Sequence, residues 1–484
     1  MIKAAQFAGQ TLAVFGLGRS GITAALSLQA GGATVLAWDD REEARQSAES
    51  QGVDIADISQ SDWSQIDALV LSPGVPHILP EPHWSAALAT QADVPIICDI
   101  EIFAREVAAV PEENRPKIIA ITGTNGKSTT TALIGHILNS CGKDAQIGGN
   151  IGRGVLDLDR MHSGSYFVVE LSSYQLERTY SLRANAAVYL NLSPDHLDRH
   201  GDMEGYAQAK NRVFLNQLKE DAAIIGTDDE NGQDLLCEMK AEKKAVTIPI
   251  SAKRSIGSGV FVLGGKLFST LGKRVEEVCN LSKAKALEGQ HNWQNAAAAF
   301  AAVQSLGLNP RDIGKAILSF PGLSHRMETI GKAGKVRFVN DSKATNADAA
   351  KQALNSYDEI YWIAGGVAKE GGIEPLKPLF KNIQKAYLIG EAAKPFARTL
   401  SKSDTPYKLS GELRMAVLCA TRDALESGAH NPIVLLSPAC ASFDQFANFE
   451  IRGDAFRDCA QKVIDLFDSE MKAKRRAAKN AIAS

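Results

Sequence analysis

No two cysteines in this 484-residue chain are spaced as CxxC, and the seven present (Cys98, Cys141, Cys237, Cys279, Cys419, Cys440, Cys459) are odd in number and widely scattered. That argues against a disulfide framework or a cysteine zinc site and leaves them as small buried hydrophobes in a reducing compartment. No apolar run nears the roughly 18 residues of a membrane helix. The start, Met1-Ile2-Lys3, lacks the character of a signal peptide, so a cytoplasmic chain without a membrane span is expected. An excess of either charge is also missing. The 53 Lys and Arg stand against 56 Asp and Glu, which leaves no field suited to nucleic acid or a membrane surface. The basic end from Lys472 to Ser484, with Lys474, Arg475, Arg476 and Lys479, reads as a solvated, frayed terminus. Internal repeats and low-complexity tracts are absent as well.

What is present is a long chain of ordinary globular composition. Single cores stop growing near about 250–300 residues, so two or three domains are expected. Strand-like runs at Thr11 to Phe15, Thr34 to Trp38, Ala68 to Leu71 and Pro95 to Cys98 alternate with amphipathic segments, the pattern of a parallel sheet covered by helices. Val110 to Pro116, with two prolines among charges, reads as a linker. A second block carries strands at Lys117 to Ile121, Tyr166 to Glu170 and Ala187 to Leu190. The polar, Gly-rich stretch Ser251 to Val278 reads as a small antiparallel appendage, and an alanine-rich helix spans Trp293 to Leu306. Phe320-Pro321-Gly322 marks a second boundary, followed by strands at Lys335 to Val339, Glu359 to Ala364, Ala386 to Ile389 and Ile433 to Leu436. The fold class is α/β in three domains, 1–113, 114–321 and 322–484: Rossmann-like, P-loop ATPase-like and Rossmann-like in turn.

Three constellations carry chemistry. Gly16-Leu17-Gly18-Arg19-Ser20-Gly21 lies between a strand and a helix, with Asp39 and Asp40 ending the next strand. Such glycines let main chain approach a diphosphate at a helix N-terminus while the acid takes a hydroxyl or ring N–H. Alone, the motif fits NAD, another nucleotide diphosphate, or merely a tight turn. Thr122-Gly123-Thr124-Asn125-Gly126-Lys127-Ser128-Thr129 sits where a phosphate loop must sit, although Ile121 stands where the usual first glycine would be. Its N–H groups and Lys127 would converge on phosphate oxygens, and Ser128 would offer a hydroxyl to Mg²⁺. Glu170 ends a neighbouring apolar strand as a metal-holding acid should, and Asn191-Leu-Ser-Pro-Asp-His196 ends another, making His196 a candidate second metal ligand. Each has a plainer alternative: a buried structural carboxylate for Glu170, a structural histidine for His196.

Together these residues resemble the Mur ligases, including the displaced glycine of their ATP loop. Four segments are similar to those of members that add D-glutamate to UDP-N-acetylmuramoyl-L-alanine: Glu170-Leu-Ser-Ser-Tyr-Gln-Leu176, Gly148-Gly-Asn-Ile-Gly152, Asn340-Asp-Ser-Lys-Ala-Thr-Asn346 and Ser437-Pro-Ala-Cys-Ala-Ser-Phe-Asp-Gln-Phe446. The resemblance implies an ATP-dependent ligase with ATP and two Mg²⁺ ions, acting on those two substrates as a monomer. Arg19, Ser20, Asp39, Arg41, Ser72, Pro73, Gly74 and Asn150 are implied for the UDP-linked substrate. For ATP it implies Gly123 to Thr129 together with Asn292, Asn295, His325, Arg326 and Asp341. Lys343, Thr345, Lys369, Ser442 and Phe443 are implied for the amino acid.

Ser128, Glu170, His196 and Lys210 are implied at the metals, Lys210 as a carbamate. Without the resemblance Lys210 reads as a surface helix lysine. Lys127, Glu170, His196, Lys210 and Arg326 would carry catalysis. Ala368 departs from the family, many members of which have aspartate or glycine before the lysine. A sister Mur ligase and a folate polyglutamylating ligase share the ATP loop. A NAD-dependent dehydrogenase or a non-enzymatic P-loop binding protein are readings of other classes.

Overall fold

A computed structural model describes every residue except Lys273, Glu288, Glu370 and Ser484, and every side chain except those residues' own, that of Asp348, and those of 474–483. The chain divides into two compact units, Met1–Pro321 and Gly322–Ser484. The first unit carries two sheets. Strands β1 (Thr11–Phe15), β2 (Thr34–Trp38), β3 (Ala68–Leu71) and β4 (Ile96–Ile97) form an all-parallel sheet of order β2-β1-β3-β4. The central β1 runs into the glycine loop, and its neighbours β2 and β3 end beside that loop, the crevice where open α/β sheets bind ligands.

The second sheet has nine strands. β5 (Lys117–Thr122), β6 (Asp144–Gly149), β7 (Ser165–Glu170), β8 (Ala186–Tyr189), β9 (Ala222–Gly226), β10 (Val246–Ser251) and β11 (Val260–Leu263) are parallel, while β12 (Lys266–Ser269) and β13 (Glu276–Asn280) close one edge antiparallel, in the order β13-β12-β11-β10-β9-β8-β5-β7-β6. The stretch expected to be a small antiparallel appendage is antiparallel from β11 to β13, and it continues this sheet because β11 pairs in parallel with β10. β5 lies between β7 and β8, so the loops after all three open on one edge. The alanine-rich helix begins earlier than expected, spanning Gln290–Ser305. Its buried run Ala296 to Ala302, broken only by Phe300, adds little side-chain bulk between helix and sheet. Gly135, in the helix Lys127–Ser140, serves the same close packing: a Cβ there would lie 2.4 Å from Ile147 Cδ1.

Apolar contact fuses the two sheets. One buried cluster runs from Leu12 and Val70 through Phe103 to Phe167 and Ile225, with the Phe103 and Phe167 rings 5.4 Å apart.

In the second unit β14 (Glu328–Ala333) is the antiparallel edge of a sheet otherwise built from β15 (Val336–Asn340), β16 (Ile360–Gly365), β18 (Ile383–Ile389), β19 (Tyr407–Gly411) and β20 (Ile433–Leu436), ordered β14-β15-β20-β16-β18-β19. A short antiparallel pair, β17 (Val367–Ala368) and β21 (Cys440–Ala441), joins two loops at its edge. The final helix spans Phe449–Ala483, so the expected fraying is not seen in its main chain, while the basic side chains from Lys474 onward lie outside the described residues. All seven cysteines are free, but only Cys98, Cys279, Cys419 and Cys440 are buried. Cys237 is exposed, on the outer face of its helix, which corrects the expectation of uniform burial. Among the described residues no helix is long and apolar enough to cross a membrane.

Phe103 is fully buried. Phe103→Ala should destabilise the protein by about 3–5 kcal/mol, the range for aromatic truncation in a core; chemical denaturation of the full chain measures it, and a loss below about 1 kcal/mol would contradict a shared core.

Candidate active site

The strand β5 delivers its main chain directly into the phosphate loop. Gly123 (φ +144°) and Gly126 (φ +86°) occupy conformations that side chains resist, and a Cβ on Gly126 would lie 2.2 Å from Asn295 Oδ1. The loop is held from beneath by Asn191: its carbonyl accepts from Thr124 N (2.9 Å), and its Oδ1 accepts from Asn125 N (2.9 Å). Asn191 Nδ2 in turn donates to Asn125 O and to Gln294 Oε1, both at 3.2 Å. Asn295 donates to Asn292 Oδ1 (3.2 Å), so the two asparagines expected near ATP stand together over the loop. Lys127 Nζ lies against its own loop, donating to Gly123 O (2.9 Å) and Thr124 O (2.8 Å), where it can swing onto a phosphate. Ser128 and Thr129 open the following helix, whose N-terminus favours an anion.

Glu170 is buried beside this loop, in register with Ile121. Its Oε1 accepts from Asn150 Nδ2 (2.9 Å), while Oε2 is a buried acceptor with no hydrogen-bond partner among the described residues. A carboxylate oxygen left in that state fits a cation ligand, since an unpaired buried acceptor otherwise costs free energy. Lys210 is not a surface lysine. It is 1% exposed, with Nζ donating to the same Gly123 carbonyl (2.9 Å) and lying 4.5 Å from the Tyr206 ring centroid. Burial, with the nearby Lys127 charge second, pushes its pKa down to about 6, so the amine is mostly neutral above that pH.

His196 follows β8 in a left-handed conformation (φ +55°), 4.9 Å from the Tyr174 ring, and burial lowers its pKa. Among the described residues no three His, Cys, Asp or Glu side chains converge as a metal cage. An ion here would rely on Glu170, the Ser128 hydroxyl and non-protein oxygens.

On the first sheet, Asp39 is already committed. Its Oδ2 accepts from Leu17 N (2.8 Å), and its Oδ1 accepts from Arg41 N (3.0 Å) and Nε (3.2 Å). Burial would raise its pKa, but these hydrogen bonds outweigh it and the carboxyl lies below its usual range. Asp39 thus shapes the glycine loop. Ser72, just after β3, donates to Gly16 O (2.6 Å), and the absent Cβ of Gly16 makes this approach possible, since one would lie 2.6 Å from Ser72 Cβ. Arg19 and Arg41 are exposed, Ser20 is half-buried, and Pro73 and Gly74 continue the loop.

The second unit gathers the rest. Asp341 is buried, accepting from Ser437 Oγ (2.8 Å) and Met327 N (3.2 Å), and burial pushes its pKa up to about 7. Lys343 N donates to His325 O (3.0 Å), joining the segments of His325–Arg326 and Lys343–Thr345. The β17–β21 pair sets Ala368 opposite Cys440, bringing the Lys369 loop beside Ser442. Ala368 is exposed in that pair, and the following Glu370 lies outside the described residues. Ser442 is buried and Phe443 is 75% exposed.

Sequence reasoning missed Asn191 and Gln294 as supports of the phosphate loop. It missed Arg452 too, a buried arginine donating to Ser342 Oγ (3.0 Å), Ser342 O (2.8 Å) and Cys440 O (3.1 Å). Asn191 had one available signal, its place at the end of a buried strand; an arginine destined for burial carries none.

Residues 121–303 match the family model of the Mur ligase middle domain, and 325–440 that of the Mur ligase glutamate ligase domain. The UDP-N-acetylmuramoylalanine--D-glutamate ligase of Caulobacter vibrioides (strain NA1000 / CB15N) is 57% identical over 457 residues, covering 94% of this chain and 97% of that protein. Its counterpart in Phenylobacterium zucineum is 54% identical over 96% of this chain and 99% of the relative. The solved UDP-N-acetylmuramate-alanine ligase of Thermotoga maritima has a TM-score of 0.55 at 18% identity, over 94% of this chain and 99% of that one, a likeness of fold.

Gly126→Ala should abolish measurable nucleotide binding while the protein stays folded, because its Cβ meets Asn295 and its φ disfavours any side chain. Titration with ATP checks this, and wild-type affinity would contradict the loop geometry.

Proposed function

The chain belongs to the Mur ligase family, and on that premise we propose that it joins D-glutamate to UDP-N-acetylmuramoyl-L-alanine at the expense of ATP, in the cytoplasm, as a step of peptidoglycan precursor synthesis. The observation that carries the reading is the phosphate loop with the partnerless oxygen of Glu170 beside it. The division of labour we propose follows three domains: 1–113 for the UDP-linked substrate, 114–321 for ATP, and 322–484 for the amino acid. The reading takes the chain to act as a monomer.

A carboxylate and an ammonium form a salt, not an amide, so the carboxyl must be activated. An oxygen of the alanine carboxylate attacks the γ-phosphorus of ATP, the bond to the β,γ-bridging oxygen breaks, and an acyl phosphate and ADP result. Lys127 leaves its loop carbonyls to follow the charge that develops on the transferring group, and Arg326 adds a second cation. The deprotonated amine of D-glutamate then attacks the acyl carbon, and the tetrahedral intermediate expels phosphate. Lys343, Thr345, Lys369, Ser442 and Phe443 hold the D-glutamate. Arg19, Ser20, Asp39, Arg41, Ser72, Pro73, Gly74 and Asn150 hold the other substrate, and Asn292, Asn295, His325 and Asp341 the nucleotide.

Two Mg²⁺ ions, when bound, supply neutralising charge on the phosphates. Ser128 and Glu170 would hold one, and His196 with carbamylated Lys210 the other. His196, whose pKa is lowered by desolvation, also suits a base for the amine, but a ligand role would compete with that.

The dehydrogenase reading rests on the first glycine loop alone and leaves Lys127 and Glu170 without a task. A passive P-loop protein would not release phosphate steadily in the presence of both substrates. The test is ADP release by the purified chain with UDP-N-acetylmuramoyl-L-alanine and a panel of D- and L-amino acids. Stimulation by D-glutamate is expected, and its absence would overturn the reading. Lys127→Ala should lower turnover on the order of 10²–10³-fold in a folded protein, as for loss of a preorganised donor; near-normal turnover would remove Lys127 from the mechanism.

Lys210 should carry a carbamate. CO₂ adds to a neutral amine, and this amine, with a pKa near 6, is mostly neutral at pH 7.5 and protonated at pH 5. With ¹³C-bicarbonate a carbamate resonance should appear at pH 7.5, fade as pH falls through 6, and be missing in Lys210→Ala. Lys210→Ala should lose most activity and regain part of it with acetate, whereas Lys210→Arg should not be rescued. A fully active Lys210→Ala without the resonance would refute the assignment.

A further inference from the structure

Arg178 is a fully buried guanidinium in the first unit. Its hydrogen bonds all go to main-chain carbonyls: Nε to Tyr174 O (3.2 Å), Nη1 to Leu71 O (3.1 Å) and Ser72 O (3.2 Å), and Nη2 to Pro73 O (3.0 Å). Arg199 takes the next two carbonyls of the same loop, Nη1 to Gly74 O (3.2 Å) and Nη2 to Val75 O (3.4 Å), and its guanidinium lies 4.4 Å from the Tyr174 ring centroid. Five consecutive carbonyls, Leu71 to Val75, are thus held by two arginines that flank one tyrosine.

The arginines come from informative places. Arg178 follows the short helix Ser173–Leu176, which starts just beyond Glu170 with a Ser172–Gln175 capping box. Arg199 lies in the turn Leu197–His200 that begins at His196. On the other side, Ser72 Oγ donates to Gly16 O in the first glycine loop. An unbroken bonded route therefore runs from the two segments at the edge of the nine-stranded sheet, through the loop Ser72 to Val75, to the turn that opens the first helix. Desolvating a guanidinium is costly. Two guanidinium forks on one loop, Arg178 fully buried and Arg199 half-buried, fix its position far more tightly than apolar packing would, because each planar fork dictates where several oxygens must lie.

We propose that Arg178 and Arg199 are positioning residues that couple the two nucleotide sites, so that ATP at the phosphate loop and the UDP-linked substrate at Ser72 to Gly74 each tighten the other's binding. The inference rests on the substrate role given above to Ser72, Pro73 and Gly74. A merely structural role would lower stability, or both affinities alike, without changing how one ligand affects the other, so the coupling factor is the readout that separates the two.

The experiment is calorimetric titration of the full chain with UDP-N-acetylmuramoyl-L-alanine, with and without a saturating non-hydrolysable ATP analogue and Mg²⁺. In the wild type the analogue should tighten substrate binding by about 5-fold or more, within the usual range of coupling energies. Arg178→Lys and Arg199→Gln should each bring that factor below about 2-fold while leaving the analogue's own affinity within about 2-fold. Arg199 is only half-buried, so Arg199→Gln carries the test alone if the other variant fails to fold. Undiminished coupling in Arg199→Gln, or a factor of one in a wild type that binds both ligands, overturns the proposal. A wild type that binds the analogue but not the UDP-linked substrate overturns the substrate reading itself, and the inference falls with it.

Discussion

Two lysines donate to one carbonyl. Lys127 and Lys210 both reach Gly123 O at 2.9 Å, one from the start of the helix that follows the loop and one from a helix more than eighty residues later. Burial, with the neighbouring Lys127 charge second, lowers the pKa of Lys210 to about 6, so the pair does not hold two ammonium charges at neutral pH. An arrangement of this kind asks for negative charge. On the proposed function, triphosphate oxygens would answer it for Lys127, and conversion to a carbamate would answer it for Lys210 by reversing the sign of the group. The Glu170 oxygen that has no hydrogen-bond partner among the described residues fits a cation, which on the proposed function the triphosphate would bring as its magnesium complex.

Much of the surrounding fold exists to keep that loop in place. β5 is flanked by β7 and β8, so Glu170, Asn191 and His196 all emerge on one edge. Asn191 ties the loop down from below, and Asn295 stands where a Cβ on Gly126 would go. The apolar cluster through Phe103 and Phe167 joins the first sheet to the second, which gives the arginine clasp around Leu71 to Val75 a firm base.

The parts legible in the sequence are those where local pattern and chemistry coincide. Compact apolar runs stopping at a glycine, acid or serine located β1, β2, β3 and β20 to the residue, and the phosphate loop and Glu170 could be placed from their strand-end position alone. Among the strands that escaped notice, β6, β14 and β19 start or end among polar residues or in half-buried alternation, as in Asp144-Ala-Gln and Tyr407-Lys-Leu-Ser, so their signal is no stronger than that of a loop, and β17 and β21 are two residues long. β9 and β10 are mostly buried apolar runs whose signal was available and missed. The Gly-rich stretch before residue 278 looked detached because its antiparallel hairpin is local, whereas the parallel pairing of β11 with β10 that recruits it is not. Buried charge was the least legible. Nothing adjacent in sequence distinguishes Lys210, Arg178 or Arg452 from a solvated side chain, since burial arises from elements far away along the chain.

The central claim is that the substrate carboxylate is activated by phosphoryl transfer and then captured by the amine of D-glutamate. In that sequence the oxygen that attacks phosphorus leaves with it when the amide forms. UDP-N-acetylmuramoyl-L-alanine labelled with ¹⁸O in both carboxylate oxygens, incubated with the protein, ATP, Mg²⁺ and D-glutamate in unlabelled water, should therefore yield inorganic phosphate carrying one ¹⁸O per amide formed, with the other label retained in the amide carbonyl. Amide product accompanied by unlabelled phosphate would contradict the account.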